Sequence, residues 1–221
     1  MTADGPTCCG FPQHARASRP ARGLAVTYPT LRWRTPVGWV QRIEEQPLAL
    51  LSDHAHNELK AASTAQAWLL KQPGDARLVI RLAALAAEEV EHFHRVVELL
   101  YARGGQLEPV ESSPYAEQLL SASARTRKNA FLDRMVVAAL IEQRSCERFE
   151  LLAEHLADRE LAGLYADLIE CERGHNRLFV DLVREAFPDG AGEQRLEELF
   201  EVEGEVIASL PFSYRMHSGP C

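Results

Sequence analysis

Residues Leu78 to Leu99 read LVIRLAALAAEEVEHFHRVVEL, with apolar side chains at three- and four-residue steps: Leu78, Leu82, Leu85, then Val96 and Leu99. That period marks a helix with one face turned to a core. At the middle of the same face stand Glu89 and His92, where the pattern calls for leucine. Three further segments repeat the arrangement. Leu51, Ala55, Glu58, Ala62, Ala65 and Leu69 form a row that stops at Lys71-Gln72-Pro73-Gly74-Asp75, where Pro and Gly end a helix and start a turn. Phe131, Met135, Ala138, Glu142, Ser145, Phe149, Leu152 and Leu156 form another, closed by a break at Ala157-Asp158-Arg159. Leu161, Leu164, Leu168, Glu172, His175, Phe179 and Leu182 form the last, ending near Pro188-Asp189-Gly190. Alternating β-branched runs are missing, so the fold class is all-α. Two short-looped hairpins joined by a longer connection, about Gly104 to Arg127, predict a four-helix bundle with one long crossover. Residues 193 to 210 predict a further amphipathic, acidic helix, so the bundle carries extra terminal helices. Residues 1–28, rich in Gly, Pro, Ser and Arg without periodicity, are expected to be a mobile tail or surface-draped arm, and residues 29–221 a single domain.

The whole chain has 221 residues, 46% of them hydrophobic and 25% charged, a composition suited to one packed core. Acids and arginines interrupt every apolar run before the roughly 20 residues that a bilayer crossing needs, and Met1 to Gly10 shows no signal-peptide pattern. A cytoplasmic protein with no membrane partner is expected. Five cysteines, Cys8, Cys9, Cys146, Cys171 and Cys221, form no CxxC, and reduced thiols are expected. The net charge of −8 is unevenly spread. Met1 to Ile43 holds six arginines against Asp4, whereas Ala191 to Val206 holds six glutamates against Arg195. A basic face on an acidic protein can meet a polyanion, and solvated surface charge gives the same pattern.

Six ionisable side chains pointing into an apolar core need a reason that folding does not supply. A buried unpaired carboxylate costs several kcal/mol or takes up a proton. Four carboxylates and two neutral imidazoles carry a charge that two divalent ions would balance. Oxygen-rich, thiolate-free ligation suits iron or manganese and disfavours a structural zinc site. With 24 glutamates and 8 histidines in the chain, chance gives about one ExxH match. Three occur, at Glu89/His92, Glu91/His94 and Glu172/His175, and Glu91/His94 lies off its helix's apolar face. Spacing supports the other two. Pro73 lies 15 residues after Glu58 and 16 before Glu89, and Ala157 lies 15 from both Glu142 and Glu172. At about 1.5 Å per residue the four levels coincide. Glu, ExxH, Glu, ExxH at one height is the pattern that identifies ferritin-like di-iron carboxylate proteins, so this assignment rests on resemblance to a known arrangement.

A narrower resemblance lies in the flanking residues. Leu51-Ser-Asp-His-Ala-His-Asn-Glu58, Ala87-Glu-Glu89-Val-Glu-His92-Phe, the run from Asp133 through Glu142-Gln-Arg144-Ser145-Cys-Glu147-Arg148-Phe, and Glu172-Arg-Gly-His175 resemble the MiaE family of tRNA hydroxylases. Thr35-Pro36-Val-Gly-Trp39-Val and the end Arg215-Met-His217-Ser218-Gly219 resemble it too, so the likeness covers roughly residues 32 to 219. It implies a ferritin-like di-iron monooxygenase that uses O₂ and two electrons from an unidentified donor. The implied substrate is the isopentenyl group of 2-methylthio-isopentenyladenosine beside the anticodon of certain tRNAs. The implied metal ligands are Glu58, Glu89, His92, Glu142, Glu172 and His175, acting catalytically through the two irons. A ferritin-like peroxidase or oxidase without nucleic acid, or an iron-binding protein, is the alternative.

Other residues read less sharply. His54, one turn before Glu58, is a candidate support for that ligand, and Arg144, Glu147 and Arg148 for an ion-pair network bracing the site. Candidate holders of RNA phosphates are Arg32, Arg34, Arg125, Arg127, Lys128 and Arg215, with Glu193 to Glu205 facing away. Ala55, Ala61, Ala62 and Ala65 either leave room for the five-carbon substituent or serve close helix packing. Trp33 and Trp39 either stack on a base or seal a bundle end, and Cys146 and Cys171 read as small core residues.

Overall fold

A computed structural model describes residues 27–109, 112–125 and 129–220. Among them are seven helices and no strand: α1 (Gly38–Ile43), α2 (Pro47–Lys71), α3 (Ala76–Ala102), α4 (Pro114–Arg125), α5 (Ala130–His155), α6 (Arg159–Ala186) and α7 (Ala191–Ser209). The chain is all-α, as its periodicity requires. No helix among the described residues is long and apolar enough to cross a membrane.

The four long helices start where the chain supplies caps. Pro47 opens α2, its missing N–H falling where no helical bond is made. Asp75, Asn129 and Asp158 each accept two backbone N–H bonds at the starts of α3, α5 and α6, satisfying donors that the first turn leaves unpaired. At the end of α3, Gly104 takes φ 75°, and the Gly105 amide closes on the Leu100 carbonyl at 3.0 Å, a left-handed stop that glycine makes at low cost.

Helix α2 packs along α3 and α5 along α6, forming the two hairpins. Their shared core is split. Ala65, Trp68, Leu82, Leu85, Met135, Leu140, Phe179 and Val183 belong to one apolar cluster, and Leu51, Ala55, Val96, Leu100, Phe149, Leu152, Leu161 and Leu168 to the other. Along every long helix the passage between clusters falls at the ionisable residues. The six candidate ligands thus form a polar layer between two apolar halves.

The crossover is more structured than expected. It contains α4, whose Tyr115, Leu119 and Ser123 are buried; its short length and Glu117, Gln118, Ser121 and Arg125 obscure the period in sequence. Helix α7 occupies Ala191–Ser209, close to the expected 193 to 210, and packs on α4, α5 and α6. The expectation that Glu193 to Glu205 face away is corrected at Glu203, which is fully buried. Other acids of that helix engage arginines, Glu193 with Arg184, Glu198 with Arg195 and Glu201 with Arg32. Arg195 also bridges Asp133 of α5 at 2.8 Å and the Ser123 carbonyl of α4.

Residues 1–26, most of the expected tail, lie outside the described residues. Thr27 and Tyr28 bond to α6, through Arg184 and Asp181. Trp39 is buried in the cluster around Phe149, whereas Trp33 packs partly buried against the opposite one. Cys146 and Cys171 are buried thiols.

Candidate metal centre

Helix α2 carries Glu58, α3 carries Glu89 and His92, α5 carries Glu142, and α6 carries Glu172 and His175; all six are buried. His92 Nδ1 lies 3.2 Å from Glu172 Oε1, 3.6 Å from Glu58 Oε2 and 3.8 Å from Glu89 Oε2. His175 Nδ1 lies 3.0 Å from Glu89 Oε1 and 4.0 Å from Glu172 Oε1. One donor atom from each of Glu89, His92, Glu172 and His175 falls within 4.8 Å of the others. Glu58 and Glu142 flank this group of four, Glu58 through His92 and Glu142 against the Glu89 and Glu172 carboxylates.

Both carboxylate oxygens of Glu89, both ring nitrogens of His92, Glu172 Oε1 and His175 Nδ1 are buried without a hydrogen-bond partner of normal geometry. Orphaned polar atoms at this density in a core require a ligand. The donors are carboxylate and imidazole, so the set fits a hard or borderline divalent ion such as iron or manganese.

Without metal, protons do the neutralising. Burial and the neighbouring Glu89 and Glu172 carboxylates push Glu142 well up, and burial raises Glu89 well above the usual range against the pull of His175. Burial disfavours a charged His175, yet Glu89 and Glu88 outweigh it and raise that imidazole well above its ordinary value. Burial likewise opposes ionisation of Glu58, but His54 and then His92 lower it well below normal.

The surroundings hold these groups in place. His54 Nε2 sits 2.5 Å from Glu58 Oε1, with its ring against Phe149 and Tyr165. Glu88 Oε2 lies 2.9 Å from His175 Nε2, the carboxylate contact that fixes tautomer and ring orientation in metal-binding histidines. Sequence reading missed Glu88 because it stands beside the apolar face; an acid next to an ExxH glutamate, one step round the helix toward the neighbouring hairpin, was the available signal. By contrast His94 is exposed and pairs with Glu98.

The expected brace exists with altered membership. Arg144 pairs with Glu147 at 3.0 Å and with Glu203 at 2.8 Å, and Tyr115 donates to Glu203 at 2.8 Å. Glu147 accepts from the Thr35 amide and hydroxyl. Arg148 was expected among the ion pairs; instead its Nη1 and Nη2 donate to the Met216 and Ser218 carbonyls, both at 2.6 Å, and its Nε to the Thr35 hydroxyl.

A cavity of about 880 Å³ opens beside α2, α4 and α5, with Glu142 in its wall. Leu59, Ala61, Trp68, Val137, Ile141 and Phe179 supply apolar lining. Of the four alanines singled out, Ala61 lines this space, while Ala55, Ala62 and Ala65 are buried in helix packing. The cations around the cavity are Lys60, Lys71 and Arg134, not the arginines expected to hold phosphates. Arg32 engages Glu201, Arg34 and Arg125 are exposed, and Arg215 donates to the Ser112 carbonyl. Arg127 and Lys128 lie outside the described residues.

The family model described as tRNA-(MS[2]IO[6]A)-hydroxylase (MiaE) matches residues 23–218. A tRNA 2-(methylsulfanyl)-N(6)-isopentenyladenosine(37) hydroxylase of Pseudomonas putida is 36% identical over 186 residues, 84% of this chain and 90% of that protein. The protein of the same name from Salmonella typhimurium is 32% identical over 147 residues, 66% of this chain and 54% of its own length. A solved Synechococcus protein described as having aldehyde deformylating oxygenase activity superposes with a TM-score of 0.80 at 36% identity, covering 87% of this chain and 98% of that one.

Two outcomes follow from the geometry. Glu88→Ala should weaken metal binding about 10- to 100-fold in competition with a chelator of known affinity, while His94→Ala leaves it unchanged. Glu89, Glu142 and His175 have raised values in the metal-free fold. Their protonated forms stabilise it below the unfolded-state values, and that contribution is lost as pH rises through the folded-state values. Glu58, which is lowered, contributes in the opposite sense only up to the ordinary carboxylate range; above that range thermal melts of metal-free protein should therefore fall, and metal should bind more tightly as pH rises, with proton release measurable in weak buffer. Melts that rise with pH above the carboxylate range without metal would contradict this charge assignment.

Proposed function

Because the chain belongs to the MiaE family of tRNA-(MS[2]IO[6]A)-hydroxylases, we propose that it is a tRNA-modifying di-iron monooxygenase. Its substrate in this reading is the isopentenyl group of 2-methylthio-isopentenyladenosine next to the anticodon. The observation that carries the reading is Glu142: a carboxylate flanking the Glu/His cluster also lines a cavity large enough for a nucleoside and walled by apolar side chains. A tRNA substrate goes with a cytoplasmic location.

Glu58, Glu89, His92, Glu142, Glu172 and His175 are the residues that would hold two irons. The pair, when reduced, supplies the chemistry that splits O₂, one oxygen atom entering a C–H bond as hydroxyl and the other leaving as water with two electrons and two protons. The electrons come from a separate donor. His54 fixes Glu58 and Glu88 fixes His175. Ile141, Val137 and Phe179 present an apolar wall beside Glu142, which excludes water and aligns the alkyl substituent through burial and shape. The modified adenosine already lies in a single-stranded loop, so its base can enter without melting a duplex.

A second reading, oxygenation of an aldehyde at the same site, is favoured by the Synechococcus neighbour. One assay separates the readings. Reduced, iron-loaded protein and O₂ are given isopentenylated tRNA, the same tRNA without the modification, or an aldehyde, and nucleosides and aldehyde products are analysed by mass spectrometry. One added oxygen on the isopentenyl side chain is expected, and none after Glu142→Ala. Aldehyde turnover or peroxide consumption with unchanged nucleosides would overturn the tRNA reading.

A further inference from the structure

Residues 210–219 form no helix, yet they are fastened to three. Trp39 Nε1 of α1 donates to Ser218 Oγ at 2.9 Å, and Asp53 Oδ2 of α2 accepts from the Met216 amide at 2.8 Å. Arg148 of α5 takes the carbonyls on either side of His217. The segment also closes on itself, since the Gly219 amide donates to the Pro211 carbonyl at 3.0 Å. A Cβ at Gly219 would stand 1.7 Å from the Leu210 carbonyl oxygen. Holding the segment this way is expensive. Arg148 is fully buried with its hydrogen bonds spent on carbonyls and a hydroxyl, and burial followed by Arg144 pushes it down to about 9. An apolar side chain of the same volume would fill that space at less cost. What the fastening sets in place is the His217 ring.

We infer that His217 is a substrate-recognition residue, an imidazole that hydrogen-bonds the purine edge of the nucleoside whose N6 substituent reaches toward Glu142. The inference rests on the proposed function. His217 lines the large cavity together with Glu142. Its Nε2 meets Ser145 Oγ at 3.0 Å, and Ser145 stands one turn beyond Glu142 on α5. Its ring lies nearly parallel to Tyr115, 5.0 Å away at 10°, and the Tyr115 hydroxyl is committed to Glu203. Ring plane and one nitrogen are therefore fixed before any ligand arrives, which leaves Nδ1 to meet it. Burial, then Arg148 and Arg144, lower this imidazole to about 3. It is neutral at physiological pH, and a neutral ring with one committed nitrogen suits a neutral base edge, where a phosphate would call for a cation. A preformed polar contact rewards the correct base and leaves a wrong one with an unpaired buried group.

The test uses iron-loaded full-length protein carrying His217→Phe, which keeps the ring stack and loses the hydrogen bond, or His217→Gln, which keeps a donor and acceptor. KM and kcat with isopentenylated tRNA, tRNA affinity, iron content and thermal melts are measured together. His217→Phe should raise KM and the tRNA Kd about tenfold with the loss falling on KM rather than kcat, and with iron content unchanged; His217→Gln should recover part of it. Should His217→Phe melt early, Ser145→Ala, which frees Nε2 but leaves the ring, should raise KM in the same direction. Wild-type KM in His217→Phe or in Ser145→Ala, or a loss confined to kcat and iron content, would overturn the inference while the hydroxylase reading stands. No hydroxylated nucleoside with the wild-type chain would overturn both.

Discussion

Four carboxylates and two imidazoles at one level of a helical bundle cannot remain uncompensated, and the rest of the molecule is arranged around that constraint. The layer they form cuts the apolar core into two clusters, one around Trp68, Met135 and Phe179 and the other around Leu51, Phe149 and Leu168. Each cluster holds the long helices in register from its own side, so the ionisable groups are presented at a fixed height rather than pulled out to solvent. Protons supply the compensation in the metal-free fold, which is why Glu89, Glu142 and His175 rise while Glu58, held by His54, falls. A divalent pair would replace those protons and satisfy the orphaned oxygens and nitrogens together.

A second polar layer lies behind α5 and performs a different task. Arg144 and Arg148 are consecutive turns of one helix, both fully buried. Arg144 gathers Glu147 and Glu203, tying α7 to α5, while Arg148 gathers the backbone of residues 216 and 218. Tyr115 joins the crossover helix to the same network through Glu203. Elements that look peripheral in the chain order, α4, α7 and residues 216–218, are thereby fixed to the helix that carries Glu142. Of these, α4 and His217 line the cavity that Glu142 also lines, so the site and its access share one rigid support.

The four long helices and the six inward-facing residues were legible because a polar residue inside a strict apolar period is an anomaly visible within a single helix. Equal spacing from the two turns carried the further point that the anomalies share a height. Partners drawn from distant segments were not legible. Glu203 pairs with Arg144 across 59 residues, and in its own helix it resembles its solvent-facing neighbours. Glu88 looked like a flanking surface acid until α6 brought His175 beside it. Net charge failed in a similar way for the arginines, because a local excess of cations does not reveal that Arg32 meets Glu201 or that Lys60, Lys71 and Arg134 line the cavity. The crossover helix escaped detection because only a few side chains of a short segment turn inward.

The proposed oxygen chemistry depends on the buried layer being a two-metal site, and metal counting tests that most directly. The chain is loaded anaerobically with ferrous iron, excess metal is removed, and iron per chain is measured alongside the Mössbauer spectrum of the oxidised protein. Two irons per chain with the spectrum of a coupled pair are expected. At most one tightly bound ion in protein that is fully loaded and active would contradict the dinuclear assignment.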